Sequence, residues 1–296
     1  MSPDLPLWRS LLIVPANVPR FVDKASRVPA DVVILDLEDS VPHEAKAAAR
    51  ESLAQAAVLL AGTSDVLVRI NRPLALSVGD IEAAIGPDVT GLLLPKIDDA
   101  AHVRLLIEMI EQLERQRGMS IGHTRLVPLI ETATGYRNMA AIAASDERIV
   151  AMLLGPEDFA LSTGTTVDSE LVRLAQQQLV IAASAAGILP LGLIDPAPHR
   201  YLTKCRAVIA RSRRLGFTGS PCIHPSLVPL LNDGFGPSSD ELAEARAIVA
   251  AFDHAHAQQR GSTELDGRMI DLPVVRQAER ILALAERVEE RSARLR

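Results

Sequence analysis

The chain has 296 residues, with 31 Lys+Arg against 37 Asp+Glu and a formal net charge of −6. That acidic balance, with 3% aromatic residues, argues against a nucleic-acid or anionic-membrane binder, while 48% hydrophobic residues suffice for a large core. Two cysteines, Cys205 and Cys222, cannot build a disulfide framework or a thiolate metal site, so a reducing, cytoplasmic setting is expected. In chain order, short β-rich apolar runs predict strands over 10–15, 31–37, 65–71, 91–96, 125–131, 149–155, 189–194 and 219–224. Ala-rich periodic stretches predict helices over 44–60, 100–116, 135–144, 169–186 and 198–215. Strands alternating with helices indicate an α/β protein, and eight units closing in a ring give a (β/α)8 TIM barrel. The rival is an open doubly wound sheet, whose dinucleotide-binding form is weakened because no G-x-G-x-x-G follows the first strand.

After His224 the alternation stops. Residues 238–258 pattern as an amphipathic helix with a Ser cap, 261–273 as a Gly-containing non-helical segment, and 274–294 as a charged final helix. The expected division is a barrel over 1–230 and a C-terminal helical lid segment over 231–296. No export signal is read in MSPDLPLWRS. The longest apolar stretch, 179–194, is broken by Ser184, Gly187 and Pro190, and reads as a helix end, a turn and a strand rather than a membrane span.

Barrel enzymes draw their reactive groups from the C-terminal strand ends and the loops that follow. Those positions hold Asn17, Glu38, Asp39, Arg69, Asn71, Lys96, Glu131, Glu157, Asp158, Asp195 and His224. Strand parity puts Glu131 on one face with Val127 and Leu129, and Arg69 on one face with Leu67 and Asn71. Glu131 and Asp158 therefore have two readings. They form an oxygen-only site suited to Mg2+ or Mn2+, or they are structural bridges to Arg69 and Lys96. His254 and His256 point apart on their helix and read as surface residues. Asp266 reads as a turn residue before Gly267, and the cysteines as small core side chains. The final helix reads chiefly as a solvated charged face.

VPANVPRF, VILDLEDSVP, VRIN, LLLPKI, PLIETATG, LLGPEDFA, CIHPSLV and LDGRMIDLPVVRQAERIL occur in this order along nearly the whole chain. In this the chain resembles the citrate lyase β-subunit-like proteins, CoA-ester lyases of the HpcH/HpaI aldolase superfamily that include malyl-CoA and citramalyl-CoA lyases. The resemblance implies a barrel assembled as a homotrimer or hexamer, with a C-terminal lid reaching a neighbour's site. It implies Mg2+ on Glu131 and Asp158, a keto or hydroxy acid on Arg69, and Asp271 as the lid's acid/base. Lys24 stands where the family has a lysine, but Val18 replaces an Arg often found there, and the nearest cation is Arg20. The acyl carrier is therefore left as CoA, a carrier protein or none.

The reaction implied is cleavage or formation of a hydroxy-acyl thioester of malyl, citramalyl or citryl type, giving a keto acid and a short acyl thioester. Its alternatives are a metal-dependent 2-keto-acid aldolase without a thioester, and a catalytically silent oligomeric binding protein. Glu38 and Asp39 are read either as holders of water around the metal, or as caps of the following segment or partners of Lys46 or Arg50. Glu157 is a substrate-lining candidate, and His224 either contacts the thioester arm or is structural.

Overall fold

A computed structural model describes residues 5–196, 201–258 and 260–294. The chain divides into two compact units, Met1–Asn232 and Asp233–Arg296.

The first unit contains all eight expected strands: β1 (Ser10–Pro15), β2 (Val32–Asp36), β3 (Asp65–Arg69), β4 (Gly91–Leu94), β5 (Arg125–Ile130), β6 (Ala151–Leu154), β7 (Leu189–Leu191) and β8 (Ser220–Cys222). They form one parallel sheet in the order β7-β6-β5-β4-β3-β2-β1-β8. A Leu191–Gly219 bridge and the bond from Gly192 N–H to the Gly219 carbonyl (2.8 Å) close the ring, as a (β/α)8 barrel requires. Closure depends on glycine at position 219, where a Cβ would fall 1.8 Å from the Trp8 carbonyl oxygen.

Alternate strand residues, among them Leu11, Ile34, Leu67, Val127, Leu129 and Leu153, fill the interior. Outside them lie α1 (Pro19–Ala25), α2 (Lys46–Ala61), α3 (Leu74–Ala84), α4 (Ala100–Gln116), α5 (Ala133–Arg137), α6 (Met139–Ala143), α7 (Pro156–Thr163), α8 (Glu170–Ala186) and α9 (Leu202–Arg214). The single helix expected over 135–144 is instead two short ones, interrupted at Asn138, whose backbone leaves α geometry. Residues 198–200 of the helix expected over 198–215 lie outside the described residues. In α8, Ser169 caps the first turn and Gly187 ends the helix at φ 73°, a left-handed conformation favoured by its missing Cβ.

On α4, Glu114 is fully buried because Arg148 forks onto both its oxygens (3.1 and 2.9 Å) and the Thr124 and Gly122 N–H groups donate to it. Burial opposes its charge, but these donors prevail and hold the carboxyl down to about 2. Since this lies below the ordinary 4.5, the stabilisation is complete above about pH 4.5 and is lost as pH falls toward 2, up to about 3 kcal/mol. Glu114→Gln should lower neutral-pH stability and flatten the acid limb of a pH–denaturation curve; an unchanged limb would contradict this.

A helix over Val228–Phe235 (α10) runs through the boundary. The second unit has α11 (Ser239–Ala257), a hairpin of β9 (Thr263–Leu265) and β10 (Arg268–Ile270), and α12 (Leu272–Arg294). Ser238 and Glu241 form a reciprocal capping box on α11. Within the segment expected to be merely non-helical, Asp266 (φ 50°) and Gly267 (φ 77°) make the two-residue turn of the hairpin. The last helix is not simply a solvated face: Val275 and Ala278 are buried in a core with Ala245, Ile248 and Ile270. His254 and His256 are exposed as expected.

Candidate active site

The inward parity of the strands continues past the apolar core into charge. Beyond Ile34 comes Asp36, beyond Leu67 comes Arg69, and beyond Leu129 comes Glu131. Asp36, which was not among the expected site residues, is fully buried and holds Arg69 in a fork: Nε to Oδ1 at 2.6 Å and Nη2 to Oδ2 at 2.7 Å. Burial works against the charge on Asp36, yet Arg69, with help from Ser40 and the Glu38 N–H, keeps its carboxyl below the usual range. Its sequence signal was available, since Asp36 sits two positions after an inward isoleucine on a strand otherwise wholly apolar.

With two donors committed to Asp36, Arg69 turns Nη1 toward Glu38 (3.2 Å) and Asp39 (3.4 Å). Neither carboxylate meets Lys46 or Arg50, the structural partners considered for them. Lys46 Nζ donates to the Leu37 and Glu38 carbonyls (2.8 and 2.9 Å), and Arg50 Nε to Asp80 (2.6 Å). Asn71 is likewise structural: its backbone N–H and side-chain amide both donate to Asp80, and the amide also donates to the Leu37 carbonyl.

Lys96 ties the cluster together. Its Nζ lies 2.8 Å from Glu38 Oε1 and 3.7 Å from Asp158 Oδ2, and its backbone N–H donates to Glu131 Oε2 at 2.9 Å. That N–H reaches Glu131 while Lys96 holds φ at 51°, a left-handed conformation costing a non-glycine residue about 1 kcal/mol. Glu131 is buried, and burial first, then the Glu38 and Asp158 charges, push its carboxyl up to about 8 despite Lys96. Burial also raises Glu38, whose Oε2 has no hydrogen-bond partner among the described residues. Space for Glu131 comes from Gly155, where a Cβ would stand 2.7 Å from its Cγ and Oε1.

The other expected residues are placed differently. Glu157 is exposed at the start of α7, and Lys24 is exposed on α1, near Arg20, which stacks over Phe21 at 5.0 Å. His224 Nδ1 caps the following turn by accepting from the Ser226 N–H (3.2 Å) and lies 2.7 Å from its hydroxyl. Asp195 is bridged by Arg173 (2.7 Å) and Arg211 (2.6 Å). In the second unit, Asp271 caps α12, accepting from the Val274 N–H at 3.4 Å.

Among the described residues, no group of three or more His, Cys, Asp or Glu is arranged to hold a metal. Glu131 and Asp158 instead supply two hard oxygen donors at one lysine, Glu131 accepting from the Lys96 backbone N–H and Asp158 lying 3.7 Å from its ammonium. A hexacoordinate cation that keeps several water or substrate oxygens fits such a donor set, and Mg2+ has that habit.

Residues 9–225 match the family model described as HpcH/HpaI aldolase/citrate lyase. The L-malyl-CoA/beta-methylmalyl-CoA lyase of Cereibacter sphaeroides is 34% identical, with 95% of each chain covered. The citrate lyase subunit beta of Leuconostoc mesenteroides subsp. cremoris is 29% identical over 94% of this chain and 93% of its own. The protein CitE from Mycobacterium tuberculosis, solved in complex with magnesium, acetoacetate and coenzyme A, has a TM-score of 0.76 and 31% identity, covering 96% of this chain and 99% of its own.

Proposed function

The chain belongs to the HpcH/HpaI aldolase/citrate lyase family, and from that premise we propose that it is a Mg2+-dependent carbon–carbon lyase acting on a malyl-, citramalyl- or citryl-type acyl thioester. The observation that carries the reading is the grouping of Asp36-forked Arg69 with Glu38, Glu131 and Asp158 around Lys96 at the barrel mouth. No helix among the described residues is long and apolar enough to cross a membrane. Cys205 and Cys222 are both buried thiols, in keeping with a cytoplasmic enzyme.

Glu131 and Asp158 would hold the cation, with Mn2+ able to substitute. Bound there, it supplies Lewis-acid stabilisation of the substrate's hydroxyl and keto oxygens. Arg69 Nη1, the donor its Asp36 fork leaves over, orients the acid's carboxylate as a planar partner. Glu38 and Asp39 accept hydrogen bonds from water at the site and keep Arg69 aimed. In cleavage the substrate hydroxyl gives up its proton, the C–C bond breaks, and the α-carbon of the departing acyl thioester gains a proton. Asp271 delivers that proton from the lid of a neighbouring subunit in a homotrimer or a dimer of trimers. Lys24 and Arg20 offer cations to phosphates of a CoA carrier, while Glu157 and His224 line the approach of the thioester.

The direct test is incubation with malyl-, methylmalyl-, citramalyl- and citryl-CoA, with Mg2+ or with EDTA, reading keto-acid release. Mg2+-dependent release supports the lyase. Turnover only of thioester-free hydroxy-keto acids would favour the aldolase, and no turnover or binding would favour a silent binding protein.

Two further outcomes are expected. Asp271→Asn should lower kcat by about 10²- to 10⁴-fold with little change in keto-acid KM. Mixing that variant with a Glu131-deficient one should restore part of the activity, because mixed trimers would contain one intact shared site; no restoration would remove the shared lid. Lys96→Met should tighten Mg2+ binding, read by calorimetry, by relieving the carboxylates of a competing ammonium. Weaker binding would show that Lys96 supports the cation instead.

A further inference from the structure

Among the described residues of the first unit, Lys96 is the one non-glycine residue with positive φ. Its conformation is pinned from both sides. The peptide plane before its Cα is held where the Lys96 N–H donates to Glu131 Oε2 at 2.9 Å. The plane after it is held twice: the Lys96 carbonyl accepts from Arg72 Nε at 3.0 Å, and the Ile97 N–H donates to the Leu129 carbonyl at 3.4 Å. Peptide planes are rigid, so fixing both leaves φ little freedom.

Arg72 makes the clamp from a fixed base. It follows Asn71, whose N–H is tied to Asp80 at 2.7 Å, and precedes Pro73 at the start of α3. Its side chain, 37% exposed, reaches from the end of β3 to the loop after β4, where Nη2 also lies 3.9 Å from Asp98 Oδ2. Asp98 is anchored in turn. Its other oxygen accepts from the Thr132 hydroxyl, and its carbonyl accepts from Asn138 Nδ2 at 2.8 Å. The loop carrying Lys96 is thus stitched to the segments that follow both β3 and β5.

We propose that Arg72 is a positioning residue for the cation site: by holding the Lys96 carbonyl it keeps the Lys96 N–H on Glu131 Oε2 and so presents Oε1 to the cation. The inference rests on the Mg2+ reading and adds the group that orients one of its ligands. Oε1 is the oxygen beside Gly155, where a Cβ would stand 2.7 Å away, and Gly155 caps α7, the helix that carries Asp158. Without Arg72, Lys96 is free to relax to negative φ, which swings its N–H off Glu131 and lets the carboxylate turn. Charge alone predicts the opposite sign. Deleting a cation near a cation site favours Mg2+, so a loss of affinity reports orientation.

The test is Mg2+ titration calorimetry on the full chain, with thermal unfolding in EDTA recorded for each variant. Arg72→Leu should weaken Mg2+ binding about 10- to 100-fold, the usual effect of removing a group that orients a metal ligand. Arg72→Gln places an N–H donor as far along the side chain as Nε and deletes the charge, so it should stay within about threefold of the unchanged protein. In the Lys96→Gly background positive φ carries no strain and both proteins compared lack the ammonium. There the Arg72→Leu loss should shrink below about threefold, a reading that also serves if Arg72→Leu alone unfolds. Unchanged or tighter binding by Arg72→Leu, an equal loss by Arg72→Gln, or an equal loss in the Lys96→Gly background would each overturn the inference and leave the Mg2+ site standing. No Mg2+ binding by the unchanged protein would bring down the Mg2+ reading and this inference with it.

Discussion

Glu131→Gln is expected to abolish Mg2+-dependent turnover, by about 10³-fold or more in kcat, while leaving the fold intact. Losing a charged donor forfeits several kcal/mol of the stabilisation a bound cation gives developing oxygen charge, and about 1.4 kcal/mol corresponds to each tenfold. The same substitution should raise the thermal stability of the metal-free protein. Burial places the Glu131 carboxyl at about 8, above the ordinary 4.5. The Glu131 carboxyl therefore costs no stability below about pH 4.5 and an increasing amount from there until the pH passes about 8. A neutral Gln escapes that penalty and can still accept the Lys96 N–H bond. Calorimetry in EDTA at pH 8–9 should show a gain of about 1–3 kcal/mol, with no such gain at pH 4. Retained activity, or a loss of metal-free stability, would contradict the assignment. A gain in Tm with loss of function would show that the site's charge opposes folding.

The second large effect is expected at Arg69. Arg69→Lys replaces a two-pronged contact with a point charge and leaves Asp36, fully buried, with one charged donor fewer beside the Glu38 and Ser40 groups it keeps. Loss of about 10²- to 10³-fold in kcat/KM is expected, together with a measurable fall in stability. Arg69→Ala should cost about 3–5 kcal/mol, because it strands a buried carboxylate. Asp36→Asn combined with Arg69→Ala should be less destabilising than the sum of the single changes, since the second substitution removes the charge the first left unpaired. Strict additivity in denaturation experiments would mean that the fork does not organise the mouth.

The barrel was legible because its signal is local: each strand is a short apolar run and each long helix a periodic one. Helices α1, α3 and α7 were not read from the sequence. They have 7, 11 and 8 residues, too short to establish a period. Their N-termini carry Pro19, Pro73 and Pro156 and lack a side-chain cap, and α3 also contains Gly79. The rim carboxylates and Arg69 were visible from strand parity, and the same parity reaches Asp36. Parity shows which residues face inward but not how they pair, so Lys96 at the centre of the carboxylates and Asn71 tied to Asp80 emerge only in three dimensions. The Glu114–Arg148 pair spans 34 positions, and the Lys96–Glu38 pair spans 58. Such contacts leave no periodic trace in a single sequence.

The most direct test of the account is a crystal structure grown with Mn2+ and a keto acid, with the metal located by its anomalous signal. The account predicts one ion bonded to oxygens of both Glu131 and Asp158, with the acid's carboxylate against Arg69 Nη1. An ion bound elsewhere, or Asp158 still turned to Lys96 with Glu131 unligated, would contradict it.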